Sequence, residues 1–247
     1  MSVPEWLWPL AAAPFVGSFL SVLVTRWPEG QTVVFGRSAC RTCGHELGPR
    51  DLVPLLSWAA LRNRCRHCRA RIGFLYPGME LAALGVAFWA ATLATAPLLW
   101  ASCALGWALL ALAVIDAREG LLPDLLTLPL LLAGLAAAAW LDPDGLGSRA
   151  IGAIAGFVVF WALALLYRRL RRREGLGLGD AKLLAAAGAW LGWGALPSVV
   201  LVAAIAGLGW ILALSLGDRR LGLDTELPFG PGLCLGFWLV WLYGPLQ

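Results

Sequence analysis

The chain has 247 residues, of which 60% are hydrophobic and only 14% are charged, and its mean hydropathy is +0.76. Charged residues make up about a quarter of a typical soluble domain, so this composition excludes an ordinary soluble globular protein. The formal net charge of +4 comes from basic clusters that report membrane topology, and nucleic-acid binding is not indicated.

Long apolar runs predict an all-α polytopic membrane protein with about eight transmembrane helices. A membrane helix needs about 20 mostly apolar residues to cross about 30 Å of hydrocarbon. Many of the 14 tryptophans lie near the ends of the runs, where amphipathic rings favour the headgroup region. The predicted spans are 5–25, 77–96, 98–115, 124–141, 150–168, 181–195, 197–216 and 228–245.

The basic residues predict the orientation. With eight alternating spans, all of them except Arg149 lie on one face, which the positive-inside rule assigns to the cytoplasm. Both chain termini are then expected outside. The residues on the cytoplasmic face are the nine arginines from Arg26 to Arg71, Arg118, the five arginines of 168–173, Lys182, Arg219 and Arg220.

The polar segment from about 27 to 76 contains two CxxC pairs, "CRTC" (Cys40, Cys43) and "CRHC" (Cys65, Cys68). Two such turns can present four thiolates to one ion, which predicts a tetrahedral zinc site. Cytoplasmic thiols stay reduced, which favours metal over disulfides. Four thiolates leave no open position for water, so the metal is expected to be structural.

Other interpretations of the cysteines stay open. The two pairs could be redox dithiols, or the metal site could be lost in this chain. His45 and His67 could substitute as ligands, although His67 lies inside a CxxC turn. Cys103 and Cys234 lie within predicted spans and are expected to be small buried apolar residues.

Acidic residues at membrane depth are costly and indicate function. The candidates are Glu80, Asp116 and Asp180; Asp124, behind Pro123, has a structural explanation at a helix N-terminus. Asp116 ends the third predicted span and Asp180 begins the sixth. Both are therefore expected at the cytoplasmic edge of the bilayer, where two distant stretches could bring them together.

Two neighbouring carboxylates tend to share one proton, so one can act as a base on water while the other acts as an acid. This is the chemistry of aspartic proteases, and it requires no metal. In "GLGLGD", Gly177 and Gly179 would let a substrate backbone approach closely. The alternative for either aspartate is a helix cap or a salt bridge with Arg118 or Lys182.

The chain resembles the prepilin peptidases, also called the type IV leader peptidase family, over nearly its whole length. The GxGD element alone would be only suggestive, since presenilin-like proteases share it. The motifs that carry the resemblance are "GSFLSVLVTRWP" (17–28), the CxxC pairs around "DLVPLLSWAALRNRCRHC" (51–68), "YPGMELAAL" (76–84), "IDAREGLLPDLLTLPL" (115–130) and "GLGLGDAKLLAAAGAWLG" (175–192).

The resemblance implies that Asp116 and Asp180 are the catalytic aspartates and that Asp124 is not catalytic. It implies cleavage, after a glycine, of the leader of type IV prepilins and type II secretion pseudopilins at the cytoplasmic face of a bacterial inner membrane. Members with the cysteine-bearing segment usually also methylate the new N-terminal residue with S-adenosylmethionine. The family often has Asn at the position of Ser21 and Pro at the position of Arg41.

Two parts of the chain are expected to carry these activities. Residues 1–96 would form the N-terminal methyltransferase part, and residues 97–247 a six-helix peptidase core. Glu80 is a candidate for binding the amine or the methyl donor; the alternative is a structural partnership with a nearby arginine. The lipid bilayer and the prepilin are the expected partners, and the sequence indicates no oligomeric state.

Two other functions are considered. A presenilin-like intramembrane protease would keep the two acids, but it normally has a Pro-Ala-Leu element near its C-terminus, which this sequence lacks. A non-enzymatic zinc-knuckle scaffold or transporter would not need acids at membrane depth.

Overall fold

The computed structural model describes residues 4–33, 36–95, 98–171, 177–216 and 228–246. Within these ranges the regular structure is helical, and extended pairing is limited to isolated bridges. The helices confirm the predicted all-α fold class. In chain order they are α1 (Leu7–Arg26), α2 (Leu56–Ala60), α3 (Leu75–Leu93), α4 (Leu98–Glu119), α5 (Asp124–Leu141), α6 (Leu146–Arg171), α7 (Leu178–Leu191), α8 (Leu196–Leu216) and α9 (Gly230–Tyr243).

Every helix except the short α2 corresponds to one of the predicted spans. Five of them, α1, α4, α5, α6 and α8, are long and apolar enough to cross a membrane. Large apolar side chains such as Ile154 on α6 and Leu208 on α8 are exposed. Exposed apolar surface on this scale needs an apolar surrounding. The chain is therefore a membrane protein.

The helices α7 and α9 are shorter than a full span. Each has 14 residues, which corresponds to about 21 Å of helix. Both end at a glycine with positive φ, Gly192 (+85°) and Gly244 (+83°), a conformation that stops a helix and that glycine adopts without strain. These two helices therefore depend on their neighbours for burial.

The described chain divides into two compact units, Met1–Ala111 and Leu112–Gln247. The division falls within α4, so the last two turns of this helix belong to the second unit. The predicted functional division at 96/97 is a separate matter and stays a prediction. Among the basic residues that predict the orientation, Arg172, Arg173, Arg219 and Arg220 lie outside the described residues.

In the first unit, α1 packs closely against α3. A side chain at Gly17 would lie 2.6 Å from the Cα of Glu80, so the two backbones almost touch. The indole N–H of Trp107 donates a buried hydrogen bond to the carbonyl of Ala83, at 3.0 Å. The cysteine-bearing segment lies in the sequence between α1 and α3.

In the second unit, α7 is the most deeply buried helix. Glycines let it approach α6, since a Cβ at Gly188 would collide with the backbone carbonyl of Gly152. Trp190 of α7 donates its indole N–H to the carbonyl of Leu130 on α5, at 2.8 Å. This packing fixes the helix whose first turn carries Asp180.

We predict that Gly188→Ala destabilises the protein by about 1–3 kcal/mol, because the new methyl group would overpack the α6–α7 contact. The measurement is thermal unfolding of the detergent-purified chain. Gly209→Ala on α8 is the matched control, since a Cβ there meets open space. Equal melting temperatures for the two variants would contradict the close packing of α6 and α7.

Candidate active site and metal centre

Asp116 and Asp180 come together in the second unit. Asp116 lies in the last turn of α4, and Asp180 in the first turn of α7. Their exposed fractions are 6% and 8%, and their carboxylates interact electrostatically. The two aspartates, 64 residues apart in the sequence, are therefore near enough in space for their charges to interact, and their action as a catalytic pair stays a prediction.

A backbone N–H group of a glycine interacts with each of the two carboxylates. The N–H of Gly230, the first residue of α9, donates to Oδ2 of Asp116 at 3.0 Å in a buried hydrogen bond. The N–H of Gly177, which precedes α7, interacts with the carboxylate of Asp180. Backbone donors stabilise buried carboxylates without supplying a positive side chain.

The cations considered as partners for these acids are engaged elsewhere. Lys182 forms an ion pair with Asp124, with Nζ 2.5 Å from Oδ1. The side chain of Arg118 faces that of Glu119, with Nε 4.0 Å from Oε1. Asp124 is the first residue of α5, as expected for a carboxylate at a helix N-terminus. The salt-bridge alternative for Asp116 and Asp180 therefore has no support among the described contacts.

Gly177 and Gly179 occupy different surroundings. Gly177 is exposed beside Asp180, whereas Gly179 lies in the first turn of α7 against Leu122. A Cβ at Gly179 would lie 2.8 Å from the Cβ of Leu122. Gly179 therefore also has a packing role, and its predicted contact with a substrate backbone stays a prediction.

Sequence reasoning missed two residues of α9. Gly230 contacts Asp116, and the buried Cys234 lies close enough to interact electrostatically with both aspartates. Cys234 is buried as expected, but its position beside the acid pair was not foreseen. The Gly-Pro-Gly run at 230–232 was the only signal that this helix begins at a special place.

The four cysteines of the first unit form a cluster that could hold a metal ion. The sulfur atoms of Cys40, Cys43, Cys65 and Cys68 all lie within 4.8 Å of one another. The Cys40 and Cys68 sulfurs are 3.8 Å apart. A tetrahedral site with metal–sulfur bonds of about 2.3 Å has sulfurs roughly 3.8 Å apart, so the cluster fits such an ion.

The two cysteine turns share one backbone design. In the first, the N–H of Gly44 donates to the Cys40 carbonyl at 2.8 Å; in the second, the N–H of Arg69 donates to the Cys65 carbonyl at 3.1 Å. The donors have φ values of +69° and +61°. Each turn is closed by one isolated antiparallel bridge.

Backbone N–H groups in the first turn favour the thiolate form of Cys40. The N–H groups of Cys43 and Thr42 lower the pKa of Cys40 to about 6. The pKa of Cys68 is raised to about 11, because the lowering by the Ala70 amide is outweighed by desolvation and by hydrogen bonds with the other three thiols. The thiolate is the form that binds metal.

The first unit also contains a cavity of about 690 Å³. This volume is in the range of small-molecule sites, which is about 300–1,000 Å³. Apolar side chains and the cysteine turns form part of its wall. Polar groups that line it include Ser18, Ser21, Thr25, Arg26, Gln31 and Glu80.

Glu80 is the buried acid of this cavity, with an exposed fraction of 6%. Its Oε2 accepts a hydrogen bond from the N–H of Leu55 at 2.7 Å, and Ser18 is a second hydrogen-bond partner. Leu55 has a strained positive φ of 59°. The described partners of Glu80 are thus a backbone amide and a hydroxyl, and the arginine alternative is not supported by the described contacts.

Two family profiles match the chain, and together they account for most of it. Residues 12–94 match the bacterial peptidase A24 N-terminal domain, and residues 103–212 match the type IV leader peptidase family. No solved structure matches this chain.

The similarity to several known proteins extends over most of the length of both chains. Two proteins from Burkholderia pseudomallei named prepilin leader peptidase/N-methyltransferase are similar to this chain. That of strain 1026b is 44% identical, covering 90% of this chain and 80% of the relative. That of strain K96243 is 49% identical, covering 85% and 68%. A protein of the same name from Aeromonas hydrophila is 41% identical and covers 93% and 87%. With identities of this size over most of both chains, the protein belongs to the type IV leader peptidase family of membrane enzymes.

Proposed function

We propose that this enzyme removes the N-terminal leader of type IV prepilins or type II secretion pseudopilins, after a glycine, and methylates the new N-terminal residue. The relatives' names support both activities. The observation that carries the cleavage is the buried pair Asp116 and Asp180, whose carboxylates interact electrostatically.

The acid pair supplies both proton-transfer roles of peptide hydrolysis. Two neighbouring carboxylates share one proton, because both cannot easily be ionised together. The ionised member takes a proton from water as the water oxygen bonds to the scissile carbonyl carbon. The protonated member gives its proton to the carbonyl oxygen, and the tetrahedral intermediate collapses when the C–N bond breaks and the leaving amine is protonated.

The basic clusters support an orientation for this reaction. The positive-inside rule places the ends of α4 and α7 that carry the acids on the cytoplasmic side, in a bacterial inner membrane. A prepilin whose apolar helix lies in the bilayer and whose basic leader lies in the cytoplasm would present its scissile bond at that depth. Both termini of the enzyme would then lie outside.

We predict that Asp116→Asn and Asp180→Asn each lower the cleavage rate by at least about 10²–10⁴-fold, the usual contribution of acid–base catalysis. The measurement is leader removal from a purified prepilin in detergent. Asp142→Asn is the matched control, since Asp142 is paired with Arg149 outside the acid pair. Full activity of either active-site variant would contradict the acid pair.

The metal that suits the cysteine cluster best is zinc in a structural role. Four thiolates at tetrahedral spacing form the donor set of closed zinc sites. The segment of about 50 residues between α1 and α3 has little core of its own and needs such a crosslink. The ion would hold the two cysteine turns together and thereby form part of the cavity wall.

We predict about one zinc ion per purified chain, the content of a single closed four-thiolate site. Elemental analysis should show its loss in the double variant Cys40→Ser/Cys65→Ser and its retention in Cys103→Ala. Removing the metal with a strong chelator should lower the melting temperature of the wild type but not that of the double variant. A metal-free wild type that is fully folded would contradict the zinc site.

The cavity in the first unit is the proposed place of methyl transfer. S-adenosylmethionine, as the methyl donor, would supply an electrophilic methyl group on a sulfonium sulfur. Glu80 would attract the new N-terminal ammonium group and accept its proton, so that the free amine can attack. The short hydrogen bond from the Leu55 N–H would fix the orientation of the Glu80 carboxylate.

We predict that Glu80→Gln separates the two activities. Glutamine keeps the volume and can still accept the Leu55 hydrogen bond, but it cannot bind an ammonium group as a carboxylate does. Mass spectrometry of a co-expressed prepilin should therefore show a cleaved product that lacks the methyl group. Glu46→Gln, which breaks only an exposed pair with Arg37, is the control. Complete methylation by Glu80→Gln would contradict this role.

A further inference from the structure

The start of α9 meets the acid pair through one residue. Gly230 is the first residue of this helix, and its N–H has no acceptor within the helix because the first turn of a helix leaves such groups free. This N–H instead donates to Oδ2 of Asp116 at 3.0 Å, in a buried contact between residues 114 positions apart. The first N–H group of α9 is therefore bound by the carboxylate of Asp116.

The approach is so close that only glycine fits without a shift. A Cβ at position 230 would lie 2.5 Å from Oδ2 and 2.7 Å from Cγ of Asp116. Contacts below 3.0 Å are essentially never made by real Cβ atoms, so any side chain at this position must displace the carboxylate or α9.

The helix ends around Asp116 explain why the hydrogen bond from the Gly230 N–H stabilises its carboxylate. Asp116 lies in the last turn of α4, where the helix dipole disfavours a negative charge. Asp180, in the first turn of α7, lies at a helix end that favours one. The start of α9 supplies Asp116 with the positive helix end that α4 does not provide.

We propose that Gly230 is a positioning residue for the peptidase reaction, which holds the Asp116 carboxylate in its reactive orientation through its backbone N–H and through the absence of a side chain. With Oδ2 engaged by this N–H, Oδ1 is the oxygen left to exchange a proton with water. This inference rests on the proposed function of the acid pair, and it assigns α9 the role of orienting Asp116.

The test compares Gly230→Ala with Gly232→Ala and Gly209→Ala in the full-length chain. Gly232 lies on the same turn, and the three atoms nearest to a Cβ there belong to the backbone of Ala203, with its carbonyl oxygen at 2.9 Å; Gly232→Ala therefore strains the packing of α9 at a different neighbour. Gly230→Ala should lower kcat for leader removal by about 10²-fold with little change in KM, since displacement of a catalytic group by about 1 Å can have an effect of this size. The two control variants should each lower kcat by less than about tenfold, which is clearly less than the loss expected for Gly230→Ala.

A second measurement tests the contact without relying on activity. Asp116→Ala removes Oδ2 and Cγ, the two atoms that a new Cβ would approach most closely, so Gly230→Ala should lower the melting temperature much less in that background than in the wild type. Gly232→Ala should lower it equally in both backgrounds. Equal losses for Gly230→Ala in both backgrounds, or failure to fold in both, would overturn the proposed contact.

The outcomes separate this inference from the function on which it rests. Wild-type kcat in folded Gly230→Ala, together with an inactive Asp116→Asn, would overturn the role of Gly230 and leave the acid pair in place. An active Asp116→Asn would overturn the acid pair and the role of Gly230 together. Methylation of a pre-cleaved peptide by the same samples shows that the first unit is folded in each variant.

Discussion

A carboxylate buried among apolar helices must receive hydrogen bonds from fixed donors, and this requirement shapes the second unit. Asp116 and Asp180 are both buried, and their carboxylates interact electrostatically. The donors are backbone N–H groups of Gly230 and Gly177, at or before the starts of α9 and α7. The N-termini near the acid pair thus belong to α7 and α9, which at 14 residues each are the shortest of the described helices that correspond to predicted spans.

Close helix packing makes this placement rigid. The segment from Asp180 to Trp190 on α7 is mostly alanine and leucine and almost completely buried. The collision that a side chain at Gly188 would have with Gly152 shows how near α6 comes. By contrast, α8 exposes large side chains such as Leu208 and Leu212. Small residues therefore mark the helix that carries Asp180, and large apolar residues mark a surface suited to lipid.

Much of this arrangement could be predicted from sequence, because apolar runs and CxxC spacing are local signals. Among the described residues, the eight helices that correspond to predicted spans and the four-cysteine cluster are where those signals placed them. The approach of Asp116 to Asp180 required a second argument, their common depth on a membrane topology. The Gly230 contact had no such signal, since it joins a backbone group to a side chain 114 residues away.

The partner of Glu80 was unpredictable for the same reason. A buried acid near many arginines suggests an ion pair, but Oε2 of Glu80 is bound by the amide of Leu55. Leu55 has positive φ, and a strained backbone of this kind persists only when neighbouring contacts hold it. Local propensity gives no indication of such a conformation.

The chemistry of the proposed function sets the order in which the two acidic sites can act. Before cleavage, the residue that follows the scissile glycine has an amide nitrogen, whose lone pair is delocalised and which is a poor nucleophile. In the proposed reaction, hydrolysis by Asp116 and Asp180 turns that nitrogen into an amine, which becomes protonated in water. A carboxylate such as Glu80 attracts this ammonium group but has no such attraction for the uncleaved amide. On the proposed function, methylation would therefore follow cleavage because of the charge that cleavage creates.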